Sequence, residues 1–182
     1  MSNHREFEIA FVGLKPGVHV FEYQIRDAFF EDFQEQDFRD CHAQIRVVLE
    51  KGSSSFMMLK FEMGGSVDVV CDRCNNNLPL QLFEEFTVTV KMVEDPQTMN
   101  DQEEDPDVYY ISKGESHLDL KNWIYEFINL SIPMQRTCEY ENIDGPYCNP
   151  AARELLNNTG IQDDKENPIW KDLQKFKDLG TE

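Results

Sequence analysis

The chain has 182 residues, with 35 acidic side chains against 17 basic ones, a formal net charge of −18 and a sequence pI near 4.5. Its 40% hydrophobic and 12% aromatic content is enough for a core, which excludes collagen-like and fully disordered chains. No run approaches the roughly 20 apolar residues of a membrane span, and the acidity disfavours autonomous binding to nucleic-acid backbones, which rewards clustered Lys and Arg.

The opening residues 1–10 carry early acids and no apolar stretch, so they do not read as a signal peptide, and the expected location is the cytoplasm. Residues 6–12 alternate, with Phe7, Ile9 and Phe11 on one side, as in a half-buried strand. Lys15, Pro16 and Gly17 form a turn, and 18–25 is a second strand; the two read as a hairpin. Residues 27–33 carry Phe29, Phe30 and Phe33 at the spacing of a short helix. Strands are expected over 44–50, 55–63 and 67–70, with Gly64 and Gly65 read as a turn between the last two. A further strand covers 78–92 after an Asn75, Asn76, Asn77 turn, and 108–111 is a last short strand. The period then changes: Leu120, Trp123, Ile124, Phe127 and Ile128 fall on one helical face, with Asp119 as N-cap. A second helix is expected over 151–157, closed by Gly160. Residues 161–167 read as a linker, and an amphipathic helix over 168–179 carries Ile169, Trp170, Leu173 and Phe176.

The fold class is therefore α+β: an antiparallel β-meander of about six strands, with the option of curling toward a barrel, followed by C-terminal helices. It divides into a β-rich core over 1–137, with an acidic loop at 94–107 and a helix at 120–131, and a C-terminal segment over 138–182.

The negative charge sits in three blocks: 91–119 (net −7), 138–182 (net −5) and 26–40 (net −4). Asp101, Glu103, Glu104, Asp105 and Asp107 have no balancing base among them. Such a run is most simply a solvated loop held open by repulsion. The functional reading is a surface for a basic partner, with electrostatics raising the on-rate more than the affinity. Trp170 divides in the same way: its helix docks on its own sheet, or lies in a partner's groove.

Five cysteines in a chain read as cytosolic argue against a disulfide framework. Cys71 and Cys74 form a C-x2-C at a strand end before a tight turn, a layout that points two thiolates at one zinc ion. Cys138 and Cys148 lie across a Gly145-Pro146 turn and can supply two more ligands. The alternative is reduced, unligated thiols packed as small hydrophobes. Cys41 beside His42 reads as structural. No catalytic motif surrounds any of the four histidines, and no Gly-rich phosphate loop is present. A thiol enzyme would find its first support in a depressed thiol pKa at Cys71 or Cys74.

The order of these features resembles a known family. Val69-Val70-Cys71-Asp72-Arg73-Cys74 is followed by the acidic loop and by a helix ending in Leu130-Ser131-Ile132-Pro133. A late Cys148 and Asn167-Pro168-Ile169-Trp170 complete the series. This resembles the YceD family, linked to accumulation of large-subunit ribosomal RNA, and residues 11–17 resemble its Bacteroidetes branch. The resemblance implies a role in ribosome biogenesis without enzyme chemistry, and genes that neighbour that of a small zinc-binding ribosomal protein. The family pattern has a His and then a Cys after the helix; here Cys138 stands near the His position and Cys148 at the Cys position. Both residue types ligate zinc. The implied assembly is a non-catalytic factor with zinc on Cys71, Cys74, Cys138 and Cys148. Its acidic surface would hold a basic ribosomal protein or a large-subunit assembly intermediate. Direct RNA binding through a zinc knuckle or exposed aromatics is the alternative.

Overall fold

The structure, a computed structural model, describes residues 6–52, 55–101, 105, 107–138 and 149–158. Its frame is set by period-two alternation sustained over long stretches, which gives each strand one buried and one exposed face. The strands are β1 (Glu8–Ile9), β2 (Gly17–Ile25), β3 (Phe38–Lys51), β4 (Phe56–Val70) and β5 (Asn77–Val93), then β6 (Val108–Ser112) and β7 (Leu118–Asp119). The helices are α1 (Pro96–Asn100), α2 (Lys121–Ser131) and α3 (Pro150–Asn158).

β2 to β6 form one sheet in sequence order. β2 to β5 are an antiparallel meander, as expected, but β6 runs parallel to β5. The 94–107 connection is long enough to cross over, which a parallel neighbour requires. The sheet stays open, with β2 and β6 as its edges, so the barrel option is not realised. The expected first hairpin is also corrected. β1 pairs with β7, and the chain leaves β1 through a 3-10 turn at Phe11–Gly13. Lys51 Nζ holds that turn by donating to the carbonyls of Phe11 and Leu14, at 2.7 and 2.8 Å.

Gly64 and Gly65 do not turn the chain; β4 runs straight through them. The reason lies in β3, whose register shifts between Arg39 and His42, with Asp40 at φ 50°. The bulge pushes backbone against Gly65, at φ +150°, where a Cβ would drive into the His42 carbonyl and lie 2.7 Å from Ala43 Cα.

One face of the sheet is packed by α2. Ile124 and Ile128 are fully buried, each worth about 1.5–3 kcal/mol. The Phe127 ring stacks on Phe86 at 4.3 Å and meets the edge of Phe61 at 5.0 Å. The N-cap position falls on Leu120 rather than Asp119. Asp119 still performs the capping chemistry, accepting the Lys121 N–H at 2.8 Å. The short helix after β2 is a 3-10 segment (Asp27–Asp32), and it buries Phe29 and Phe30. α3 matches the expected second helix, and Ala152 packs on the core. Gly160, the 161–167 linker and the 168–179 helix lie outside the described residues. Among the described residues no helix is long and apolar enough to cross a membrane.

Candidate metal centre

Six residues, 71–76, join β4 to β5. Cys71 N–H donates to the Asn76 carbonyl at 2.9 Å, and Asn75 N–H donates to the Cys71 carbonyl at 2.9 Å. Asn75 takes the left-handed conformation, φ 59°, which Asn tolerates better than most residues. The result is a tight loop with both thiols turned inward; Cys71 is 1% exposed and Cys74 5%.

Cys138 arrives from the segment after α2. Ile132 closes the helix with its N–H on the Asn129 carbonyl, and the chain then runs back to the β4–β5 loop. Arg136 fixes it there: its N–H donates to Asp72 Oδ2 at 2.8 Å, and its carbonyl accepts the Asp72 N–H at 2.8 Å. Its guanidinium also pairs with Asp37 at 2.5 Å.

The Cys138 Sγ lies 3.5 Å from Cys71 Sγ and 3.7 Å from Cys74 Sγ, and all three sulfurs fall within 4.8 Å of one another. Thiolates at about 2.3 Å from a tetrahedral zinc stand about 3.8 Å apart, so the spacing suits one ion. These three buried cysteines could hold a metal. Burial raises the Cys74 thiol, but hydrogen bonds from the backbone of Asn149 and Asn76 and from the neighbouring thiols more than offset it. The net effect lowers Cys74 to about 7. Cys138 is pushed up to about 12 by burial and by the two sulfurs it faces. A sulfur stabilised as thiolate by N–H donors, with two further cysteine sulfurs beside it, is a layout that suits a cation.

Cys148, the fourth expected ligand, lies outside the described residues. Its sequence neighbour Asn149 is described, and the Asn149 backbone touches the Cys74 sulfur. Cys41 is buried elsewhere, in β3, with its N–H on Asp27 Oδ1 at 2.8 Å and its thiol raised to about 11 by burial and then by Asp27. Of the acidic run, Asp101, Asp105 and Asp107 are exposed. The Asp107 carbonyl accepts the Thr89 N–H at 2.7 Å, which anchors this end of the loop to β5. Glu103, Glu104 and Trp170 lie outside the described residues. Asp72, Asn76, Arg136 and Asn149 were not singled out by sequence. Asp72 inside the C-x2-C was the one available signal, since a short acid in a tight loop tends to bond backbone N–H groups.

The family model described as large ribosomal RNA subunit accumulation protein YceD matches residues 59–177, a stretch that contains Cys71, Cys74, Cys138 and Cys148. No curated protein and no solved structure is significantly similar to the chain. The match covers well over half of the sequence and includes the whole thiol cluster, so the chain belongs to the YceD family.

Proposed function

We propose that the chain is a non-catalytic, cytoplasmic ribosome-biogenesis factor that supports accumulation of large-subunit ribosomal RNA. In this reading a structural zinc ion sits on Cys71, Cys74, Cys138 and Cys148. The observation that carries the metal is the set of three buried sulfurs at tetrahedral spacing inside the region that matches the family. A closed four-ligand site performs no turnover; it ties the β4–β5 loop to the segments after α2. The acidic residues Asp101, Glu103, Glu104, Asp105 and Asp107, and Trp170, are the residues this reading assigns to contact with a basic ribosomal protein or an assembly intermediate.

The lowered Cys74 thiol is shared by a metal ligand and a redox nucleophile, so it does not separate the two. Burial favours the ligand reading: a thiol 5% exposed is poorly placed to meet a protein disulfide. The test of the cellular role is the ratio of large- to small-subunit ribosomal RNA in cells that lack the chain. The ratio is expected to fall and to recover with wild type but not with Cys71→Ser. An unchanged ratio would overturn the role.

A further inference from the structure

The face of the sheet turned away from α2 carries a feature that neither the thiol cluster nor the acidic loop explains. At one level across four strands, Gln24, Gln44, Gly64 and Phe83 are successive partners. Phe83 is 84% exposed, although it sits in the middle of a 17-residue strand. Gly64 needs no glycine: its backbone angles are ordinary, and a Cβ there would meet nothing within 4 Å. A strand glycine with free space above it leaves room for close approach by a ligand. Neighbouring strands lie about 4.8 Å apart, so the Gly64 gap between Gln44 and Phe83 spans about 9.5 Å, wide enough for a planar group beside the ring.

A hollow of about 380 Å³ opens here, with Gln24, Arg26, His42, Gln44 and Gly64 among its lining residues. It contains a cation, an imidazole and two amides and no carboxylate, in a chain of net charge −18. The side chains of Gln24, Arg26 and Gln44 make no hydrogen bond or ion pair among the described residues. His42 Nδ1 faces the Asp40 carbonyl at 2.9 Å and donates there, which leaves Nε2 as the ring atom available to a ligand. In the adjacent row Glu62 and Glu85 are paired with Arg46 and Lys60 at 2.7 and 2.8 Å, and Glu22, the register partner of Arg46, is the remaining acid of that row.

We infer that this hollow takes one unpaired nucleotide of a single-stranded RNA. The base would stack on Phe83 over Gly64, and the Gln44 and Gln24 amides would meet its donor and acceptor edge. His42 Nε2 would meet a ribose hydroxyl, and Arg26 would contact the phosphate. Paired bases cannot enter, and the acidity around the hollow disfavours tracking along a duplex. The site stands apart from the zinc reading, so either can fail alone.

The test is fluorescence anisotropy of a labelled ten-nucleotide single-stranded RNA titrated with the full chain. Binding is expected with a salt slope of about −0.7, that of one phosphate contact, and none is expected to the matching duplex. Phe83→Ala should weaken binding by roughly 5- to 150-fold, the range contributed by one base–aromatic stack. Gly64→Val fills the gap and should abolish binding while leaving the urea midpoint at or above that of wild type. Arg26→Gln should flatten the salt slope. No binding, binding indifferent to Phe83→Ala and Gly64→Val, or Phe83-dependent binding of a Lys/Arg-rich peptide in place of RNA would overturn the proposal.

Discussion

Asp72 and Arg136 hold each other twice, each donating its backbone N–H to the other residue at 2.8 Å, one bond to a carbonyl and one to a carboxylate. This reciprocal pair joins positions 64 residues apart and delivers Cys138 to Cys71 and Cys74. It is the protein's own contribution to the thiol cluster, independent of any ion.

Asp72→Ala removes the carboxylate and leaves the Arg136 N–H without that acceptor. The bond is exposed to solvent, so the expected cost is about 1 kcal/mol, near the centre of the range for a hydrogen bond. The more telling readout is zinc affinity, which should drop because Cys138 is no longer prepositioned. Equal zinc retention under chelator challenge in wild type and variant would contradict this role.

Gly65→Ala and Gly64→Ala are adjacent substitutions with opposite expectations. At Gly65 the methyl meets the His42 carbonyl and the backbone is at φ +150°, so the loss should be roughly 2–4 kcal/mol. At Gly64 the methyl meets nothing, and the loss should be within about 0.5 kcal/mol. Urea denaturation of the two variants measures the difference; similar midpoints would show that the β3 bulge does not crowd β4.

This glycine pair also shows where the sequence ran short. A Gly-Gly step reads equally as a hairpin turn or as a strand pressed by a bulge, and the bulge that decides between them lies more than 20 residues earlier, at Arg39 to His42. The same non-locality hid the pairing of β1, whose partner is Leu118–Asp119 rather than the next strand, and the parallel direction of β6. By contrast β3, β5, the two halves of β4, α2 and the Cys71–Cys74 loop were legible, because alternation, helical spacing and C-x2-C are local patterns. Cys138 was legible as a candidate ligand, but the route that brings it to Cys71 and Cys74 was not. Its arrival depends on Arg136, which carries no motif.

Phe127→Ala removes the ring that stacks on Phe86 and meets Phe61, the main aromatic contact between α2 and the sheet. Phe127 is half-buried, so the expected loss is about 2–4 kcal/mol. Hydrogen exchange should show α2 amides losing protection before those of β3 and β4. Uniform loss across the sheet would contradict the placement of α2 as a separable layer.

Glu62 is held below the usual carboxylate range by hydrogen bonds from Arg46 and then Lys60. Its folded-state value therefore lies under the unfolded one. Its contribution is complete above the unfolded pKa, near 4.5, and disappears as pH falls through the folded value. Glu62→Gln should flatten the stability profile in that acidic window by lowering stability near pH 7, only slightly because the pair is solvent-exposed, while leaving stability at the acid end unchanged. An unaltered acid limb would show that the ion-pair geometry does not persist in solution.

A closed metal site on the three buried thiols and Cys148 is decided by metal content, measured by mass spectrometry on native protein prepared without chelator. The expected result is one zinc per chain, lost in each of Cys71→Ser, Cys74→Ser, Cys138→Ser and Cys148→Ser and retained in Cys41→Ser. A folded, metal-free wild-type chain, or zinc unaffected by these substitutions, would contradict it.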